Sequence, residues 1–328
     1  MLTRRRFLQA AGAGVAAPFL NAPAGAQVTG RTVRIISGFP AGGMGDAVSR
    51  PMAEKLRGVY APVVIAEAKP GAGGRIAVDF VKTAEPDGST ILQIPGSIMT
   101  LYPHVYRKLG YDALRDFSPV STTCIYTYSL TAGPGLPAEV KSVAELERWL
   151  KANPKQASFG SPAAGSSLHF MGAMFARTAG VELTHVAYKG GAPLLQAVMG
   201  GEIPISFNVL GEVVPHVRSG KLRSLATTGP QRSRFLPDVP TLAELGYKDL
   251  VAQEWLGWFL PARTPADTVA RLNAILREEL HDKEMVEGLA RFSLEPLTMS
   301  PTEFAARIRA DTERWAPIAK ATGFTSDE

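Results

Sequence analysis

Short runs of β-branched and aliphatic residues recur along the chain, and most are followed by a glycine-rich turn and a helical pattern. Val33-Arg34-Ile35-Ile36-Ser37 reads as a strand, and after a glycine-rich turn a helix runs to about Arg57. Val63-Val64-Ile65 is the next strand. Pro70-Gly71-Ala72-Gly73-Gly74 is a turn, Ile76 to Lys82 is helical, and Thr90 to Ile94 is a third strand. Parallel strands need a crossover, so this βαβαβ rhythm predicts a mainly parallel sheet covered by helices. The rhythm resumes with strands at Tyr126–Thr131, Ser158–Phe159, Leu183–Val186, Ile203–Phe207 and Leu222–Ala226. Roughly ten strands exceed one doubly wound sheet of ordinary size. The expectation is an α/β chain of two lobes: residues 27–124 with 230–328 form lobe 1, and 125–229 form lobe 2.

Helix starts are marked independently. Ser142 with Glu145, Thr241 with Glu244 and Ser300 with Glu303 have capping-box spacing, and Thr264-Pro265-Ala266-Asp267 places proline at a first helical position. Pro51 falls inside the first helical pattern, where it costs about 3 kcal/mol or kinks the helix.

The chain begins with an address. Thr3-Arg4-Arg5-Arg6-Phe7-Leu8-Gln9 fits the twin-arginine pattern, a mild apolar stretch runs from Ala10 to Leu20, and Ala24-Gly25-Ala26 supplies a small-x-small cleavage site. Cleavage is expected before Gln27, and the product is expected to be periplasmic and monomeric. The stretch holds Gly12, Gly14 and Pro18 and is too short for the roughly 20 apolar residues of a spanning helix. Of the formal net charge of +5, three units are Arg4, Arg5 and Arg6, leaving +2. No run of like charges suits a nucleic-acid backbone. A single cysteine, Cys124, excludes an internal disulfide and reads as a small core residue.

Two strand-to-helix turns have the same chemistry. The first is Phe39-Pro40-Ala41-Gly42-Gly43-Met44-Gly45-Asp46, and the second runs from Gly160 through Ser161, Gly165 and Ser166 to His169. Glycine lets the backbone approach a ligand, and the first N–H groups of the following helix have no partner. The helix dipole adds partial positive charge there, so a carboxylate is the natural guest. Ser97, Ser161 and Ser166 add hydroxyl donors at strand ends, where open α/β sheets bind ligands. Asp46 is either a first-turn acid or an acceptor for the ligand, and His169 either a ligand donor or a packed ring. Trp255 and Trp258, three apart, read as core.

In order along the chain, these motifs resemble the Bug/TctC-type solute-binding proteins of tripartite tricarboxylate transporters. Phe39-Pro40-Ala41-Gly42-Gly43 with Asp46 is similar to that family's first binding loop, and Phe159-Gly160-Ser161-Pro162 through Gly165-Ser166 to His169 to its second. Lys69 to Gly74, Glu85-Pro86-Asp87-Gly88, Asp116 to Val120, His185 to Gly190, Gly220 to Arg223, Leu236 to Thr241 and Trp255-Leu256-Gly257 complete the series. The resemblance implies a type II periplasmic-binding-protein fold with a small carboxylate clamped between lobes, and membrane permease subunits as partners. It implies no cofactor. Tyr188 and Asn208 join the implied ligand set. Asn208 stands where many relatives have aspartate, which puts a neutral amide at the ligand's far end, and Ala68 stands where asparagine is usual.

An enzyme is the contrasting reading. A serine hydrolase would draw Ser161, His169 and Asp46 together, but the chain has no G-x-S-x-G elbow. The five histidines lack metal spacing such as H-E-x-x-H. A binding protein that serves a sensor uses the same clamp as one that serves a transporter.

Overall fold

The computed structural model describes residues 30–326. The twin-arginine segment and its cleavage site before Gln27 lie outside the described residues. In chain order the structure runs β1 (Val33–Ser37), α1 (Met44–Leu56), β2 (Val64–Ala68), α2 (Arg75–Lys82), β3 (Thr90–Pro95), α3 (Gly96–Thr100), α4 (Tyr102–Val105) and β4 (Phe117–Ala132). Then come α5 (Val143–Ala152), β5 (Ser158–Ser161), α6 (Ser167–Ala179), β6 (Thr184–Ala187), α7 (Gly191–Met199), β7 (Ile205–Val209), α8 (Leu210–Arg218) and β8 (Arg223–Thr227). The chain closes with β9 (Gln253–Pro261), α9 (Ala266–Glu279), α10 (Lys283–Ala290), β10 (Glu295–Pro296) and α11 (Pro301–Thr322).

The strands form one continuous path, β2-β1-β3-β9-β4-β7-β5-β6, with β8 and β10 also pairing β4. The two flanks are parallel, as the βαβ rhythm requires. The centre is not: β9 is antiparallel to both β3 and β4, and β7, β8 and β10 are antiparallel to β4. The mainly parallel sheet expected from the rhythm is thus parallel only at its flanks, because the chain returns to the middle of the sheet after β8.

Strand β4 joins the two lobes. The sequence places a lobe crossing near Cys124, and the chain is one 16-residue strand through that point. Its partner is β9 up to Thr127 and β7 and β8 from Tyr128 onward. Cys124 is fully buried, and burial pushes its thiol up to about 12. Residues 230–252, expected in lobe 1, pack against α6 and α8: Leu236 clusters with Leu210 and Val214 of α8, and the Tyr247 ring lies 5.5 Å from that of Phe175 of α6.

Local chemistry accounts for the helix limits. Complete capping boxes at Ser142/Glu145 and Ser300/Glu303 start α5 and α11. Thr241/Glu244 also forms both reciprocal bonds, at 3.1 and 3.3 Å, yet closes only a turn. Gly246, with φ 97°, ends that turn, and Arg232 holds Glu244 at 2.9 Å from outside. Pro265 is the N-cap of α9 rather than its first residue, because its ψ of 137° is extended. Helix α1 continues through Pro51 to Leu56. Among the described residues no helix is long and apolar enough to cross a membrane.

Candidate ligand-binding cleft

Both glycine-rich turns open helices at the carboxyl ends of strands, the first between β1 and α1 and the second between β5 and α6. In the first, Phe39 is 43% exposed. Gly42 turns with φ 88°, and its N–H donates to Asp46 Oδ2 at 2.6 Å. Arg50 Nε donates to the same oxygen at 2.9 Å. Asp46 therefore braces its own loop around Ala41 and Gly42. Gly43 is the N-cap of α1 and supplies no side chain, so the first amides of α1 stay free of a side-chain cap. Gln93 supports the loop from below: its Nε2 donates to the Gly45 carbonyl at 2.9 Å, while its Oε1 accepts from Trp258 Nε1 at 3.0 Å. That bond satisfies the indole N–H of Trp258, which is wholly buried in the core.

The second turn is closed on itself. Ser161 donates to the Ala163 carbonyl at 2.9 Å and pairs with His185 Nε2 at 2.8 Å. Ser166 donates to the same carbonyl at 2.7 Å and, as N-cap of α6, accepts from His169 N. Gly165 has φ 75° and donates its N–H to His169 Nδ1 at 3.2 Å. The His169 and His185 rings stack with centroids 3.8 Å apart. Burial pushes both down to about 4, so both are neutral at pH 7 and the pair adds no charge to the cleft. Phe324, from the C-terminal end, lies edge-on to His169 at 5.0 Å. Tyr188, half-buried, donates its N–H to the Ser161 carbonyl at 2.9 Å.

The structure thus gathers Ser161, Gly165, Ser166, His169 and Tyr188 into one unit, and Phe39, Ala41, Gly42, Gly43 and Asp46 into another. No hydrogen bond or ion pair among the described residues joins the two units directly. Asn208 is separate. It is 1% exposed, its side-chain oxygen accepts from the Ser206 hydroxyl, and its Nδ2 has no protein partner. Nor does the hydrolase arrangement form: Ser161 is fully buried and paired with His185 rather than His169, and Asp46 is tied to Gly42 and Arg50.

Three residues given no site role by the sequence make notable contacts. His185 is the partner of Ser161. Glu254, at the start of β9, accepts from Ser97 N at 3.0 Å and from Tyr128 Oη at 2.8 Å, so the amide of Ser97 is occupied by the protein's own carboxylate. Glu212, in the first turn of α8, lies against Gly191 at the start of α7 and leaves no room for a Cβ there. The residue is otherwise exposed to solvent. Among the described residues no group of histidine, cysteine and acids is spaced to hold a metal.

The arrangement places two helix starts, one of them backed by neutral rings, at the carboxyl ends of parallel strands, which suits an anion held by backbone hydrogen bonds. Residues 48–324 match the family described as tripartite tricarboxylate transporter family receptor. The chain is 31% identical over 324 residues to BugT of Bordetella pertussis, covering 97% of this chain and 98% of that one. Among solved structures, an R. palustris protein with adipate superposes with a TM-score of 0.83 at 30% identity, covering 90% of this chain and 98% of the other. MatC from Rhodopseudomonas palustris with bound malate gives 0.79 at 26% identity, covering 88% and 99%. The chain belongs to the tripartite tricarboxylate transporter receptor family, a family of solute-binding receptors rather than enzymes, and has its two-lobed type II binding-protein fold.

Proposed function

We propose that this chain is a periplasmic solute-binding receptor that captures a small carboxylate between two lobes and delivers it to the permease subunits of a tripartite tricarboxylate transporter. The observation that carries the reading is the pair of glycine-bounded helix starts, α1 and α6, at the carboxyl ends of strands on opposite sides of β4. Neighbours of the same fold hold adipate and malate, which supports a dicarboxylate as guest. The lobes comprise residues 33–127 with 253–326, and residues 128–252. The change of β4 partners at Tyr128 and the packing of 230–252 on α6 and α8 support these limits.

Backbone amides of the first turn of α1, with Phe39, Ala41 and Gly42 beside them, hold one side of the carboxylate. The α6 start, with Ser161, Ser166 and His169 behind it and Tyr188 at its rim, holds the other. A charge-assisted hydrogen bond nets about 1.5–3 kcal/mol, and micromolar affinity needs about 8 kcal/mol. Four to six such bonds, less ordering costs, are sufficient without a metal or an ion pair. The N-terminal Arg4-Arg5-Arg6 segment directs export by the twin-arginine route, with cleavage before Gln27.

Calorimetry of residues 27–328 against adipate, malate and citrate, with neutral amides as controls, tests the reading. The expected result is saturable binding of at least one acid, recovered unchanged, with none of the amides binding. Binding of an amide in preference to every acid would overturn it.

A further inference from the structure

Glu254 is a buried acid lying between the two lobes. Its Oε1 accepts from the amide of Ser97, in the first turn of α3, at 3.0 Å. Its Oε2 accepts from Tyr128 Oη at 2.8 Å and from Ser167 Oγ, the first residue of α6, at 3.3 Å. Tyr128 and Ser167 are themselves 2.8 Å apart. Gly96 makes this approach possible, since a Cβ there would lie 2.7 Å from Glu254 Oε1. We propose that Glu254 is a positioning residue for ligand capture: its carboxylate ties the start of α3 in one lobe to the start of α6 in the other and so fixes the spacing of the two lobes. This rests on the two-lobed capture reading given above.

The bond directions support the assignment. Every contact with Glu254 is a donor aimed at the acid, and the donors come from three separate elements, α3, β4 and α6. Two of these elements lie on different sides of the change of partners along β4, so the bonds tie the lobes as well as satisfying a buried acid. Burial raises its pKa against the bonds from Tyr128 and Ser97, and Asp311 of α11 adds to the rise. Asp311 is itself held by Trp255 Nε1 at 2.7 Å and Arg307 Nε at 2.8 Å. Serine 167 is the link that crosses the lobes, because Tyr128 sits on the shared strand where the partners change.

The test is an interlobe distance distribution measured by spin-label pairs at Ile76→Cys and Lys151→Cys, without ligand; the native Cys124 is buried and unlabelled. The wild type is expected to give a narrow distribution. E254A is expected to broaden it and lengthen its mean. E254Q is expected to restore the narrow form, since its amide oxygen still accepts from Ser97 and its N–H group donates to Tyr128. Should E254A fail to fold, the isosteric pair Y128F/S167A replaces it. Adipate and malate then serve as affinity probes, with about tenfold weakening expected in the widened variant and little in E254Q. An unchanged distribution in E254A or in Y128F/S167A would overturn the proposal. Failure of the wild type to bind either acid would count against the carboxylate reading, while the ligand-free distances still judge the tie.

Discussion

The two loops that frame the cleft share a motif and differ in everything around it. The α1 loop is open: Phe39 is exposed, Gly43 offers no side-chain cap, and the one charge, Asp46, is balanced by the exposed Arg50. The α6 loop is sealed: Ser161 and Ser166 close onto Ala163, two neutral histidines stack beneath, and Phe324 lies over them. A loop that spends its side chains on itself keeps its amides rigidly aimed. A loop braced by Gln93 and Asp46 but left exposed at its tip can adjust to the ligand. The cleft therefore has a fixed jaw and an adaptable one, and the substitutions that matter most should fall on the fixed side.

Glycine exchange gives the largest contrast. A Cβ at Gly165 would lie 3.0 Å from Phe324 and 3.2 Å from Val105, on a backbone with φ 75°, whereas at Gly43 the nearest atom is 3.7 Å away. Gly165→Ala is expected to cost about 2–3 kcal/mol, from left-handed strain plus overpacking. Gly43→Ala should stay within about 0.5 kcal/mol. Urea denaturation of the two variants checks the difference, and equal losses would break the contrast.

Acidity should also act on the fixed jaw. His169 titrates near 6.5 unfolded and near 4 folded, so the unfolded chain takes up the proton first. Its contribution is complete above about pH 6.5 and is lost as pH falls toward 4. The loss from His169 amounts to about 2 kcal/mol between pH 7 and 5. Half-buried His185 shifts the same way and adds a smaller share. Chemical denaturation at the two pH values, repeated with His169→Gln, should show the slope shrink in the variant.

Smaller effects separate the caps. Ser166→Ala removes the N-cap of α6 and should cost about 1 kcal/mol, with weaker carboxylate binding, because the amides it aligns lose their brace. Asp46→Asn removes an ion pair whose arginine is 63% exposed, and should cost less than about 1 kcal/mol, an effect that fades at 0.5 M salt. Thermal melts at low and high salt distinguish the two.

Elements driven by local chemistry were legible in the sequence. β1, α1, α5 and α6 follow from periodicity and caps, and both binding turns lie between the strand and helix they were expected to join. The central sheet was not legible, because β9 inserts between β3 and β4 through pairings of more than 120 residues' separation, which no local pattern encodes. Thr241 and Glu244 have a sound capping signal with no helix behind it, since Gly246 ends the turn. In the cleft, residue types pointed to the loops but not to their partners. The pairing of Ser161 with His185 depends on β5 and β6 lying side by side, with Ser161 opposite Ala187 and Phe159 opposite His185. Glu254 did leave a trace, as a lone acid opening an otherwise apolar strand of Trp255 to Leu260. A buried charge in such a run must be paired, which is a reason to look for its donors.

The central claim is that one carboxylate is held by the starts of α1 and α6 together. Amide NMR of the labelled protein during titration with a bound dicarboxylate tests it most directly. The account predicts that Met44 and Gly45 of α1 and Ser167 and Leu168 of α6 shift in one titration with one midpoint. Saturable binding that moves only one of these pairs, or neither, would contradict it.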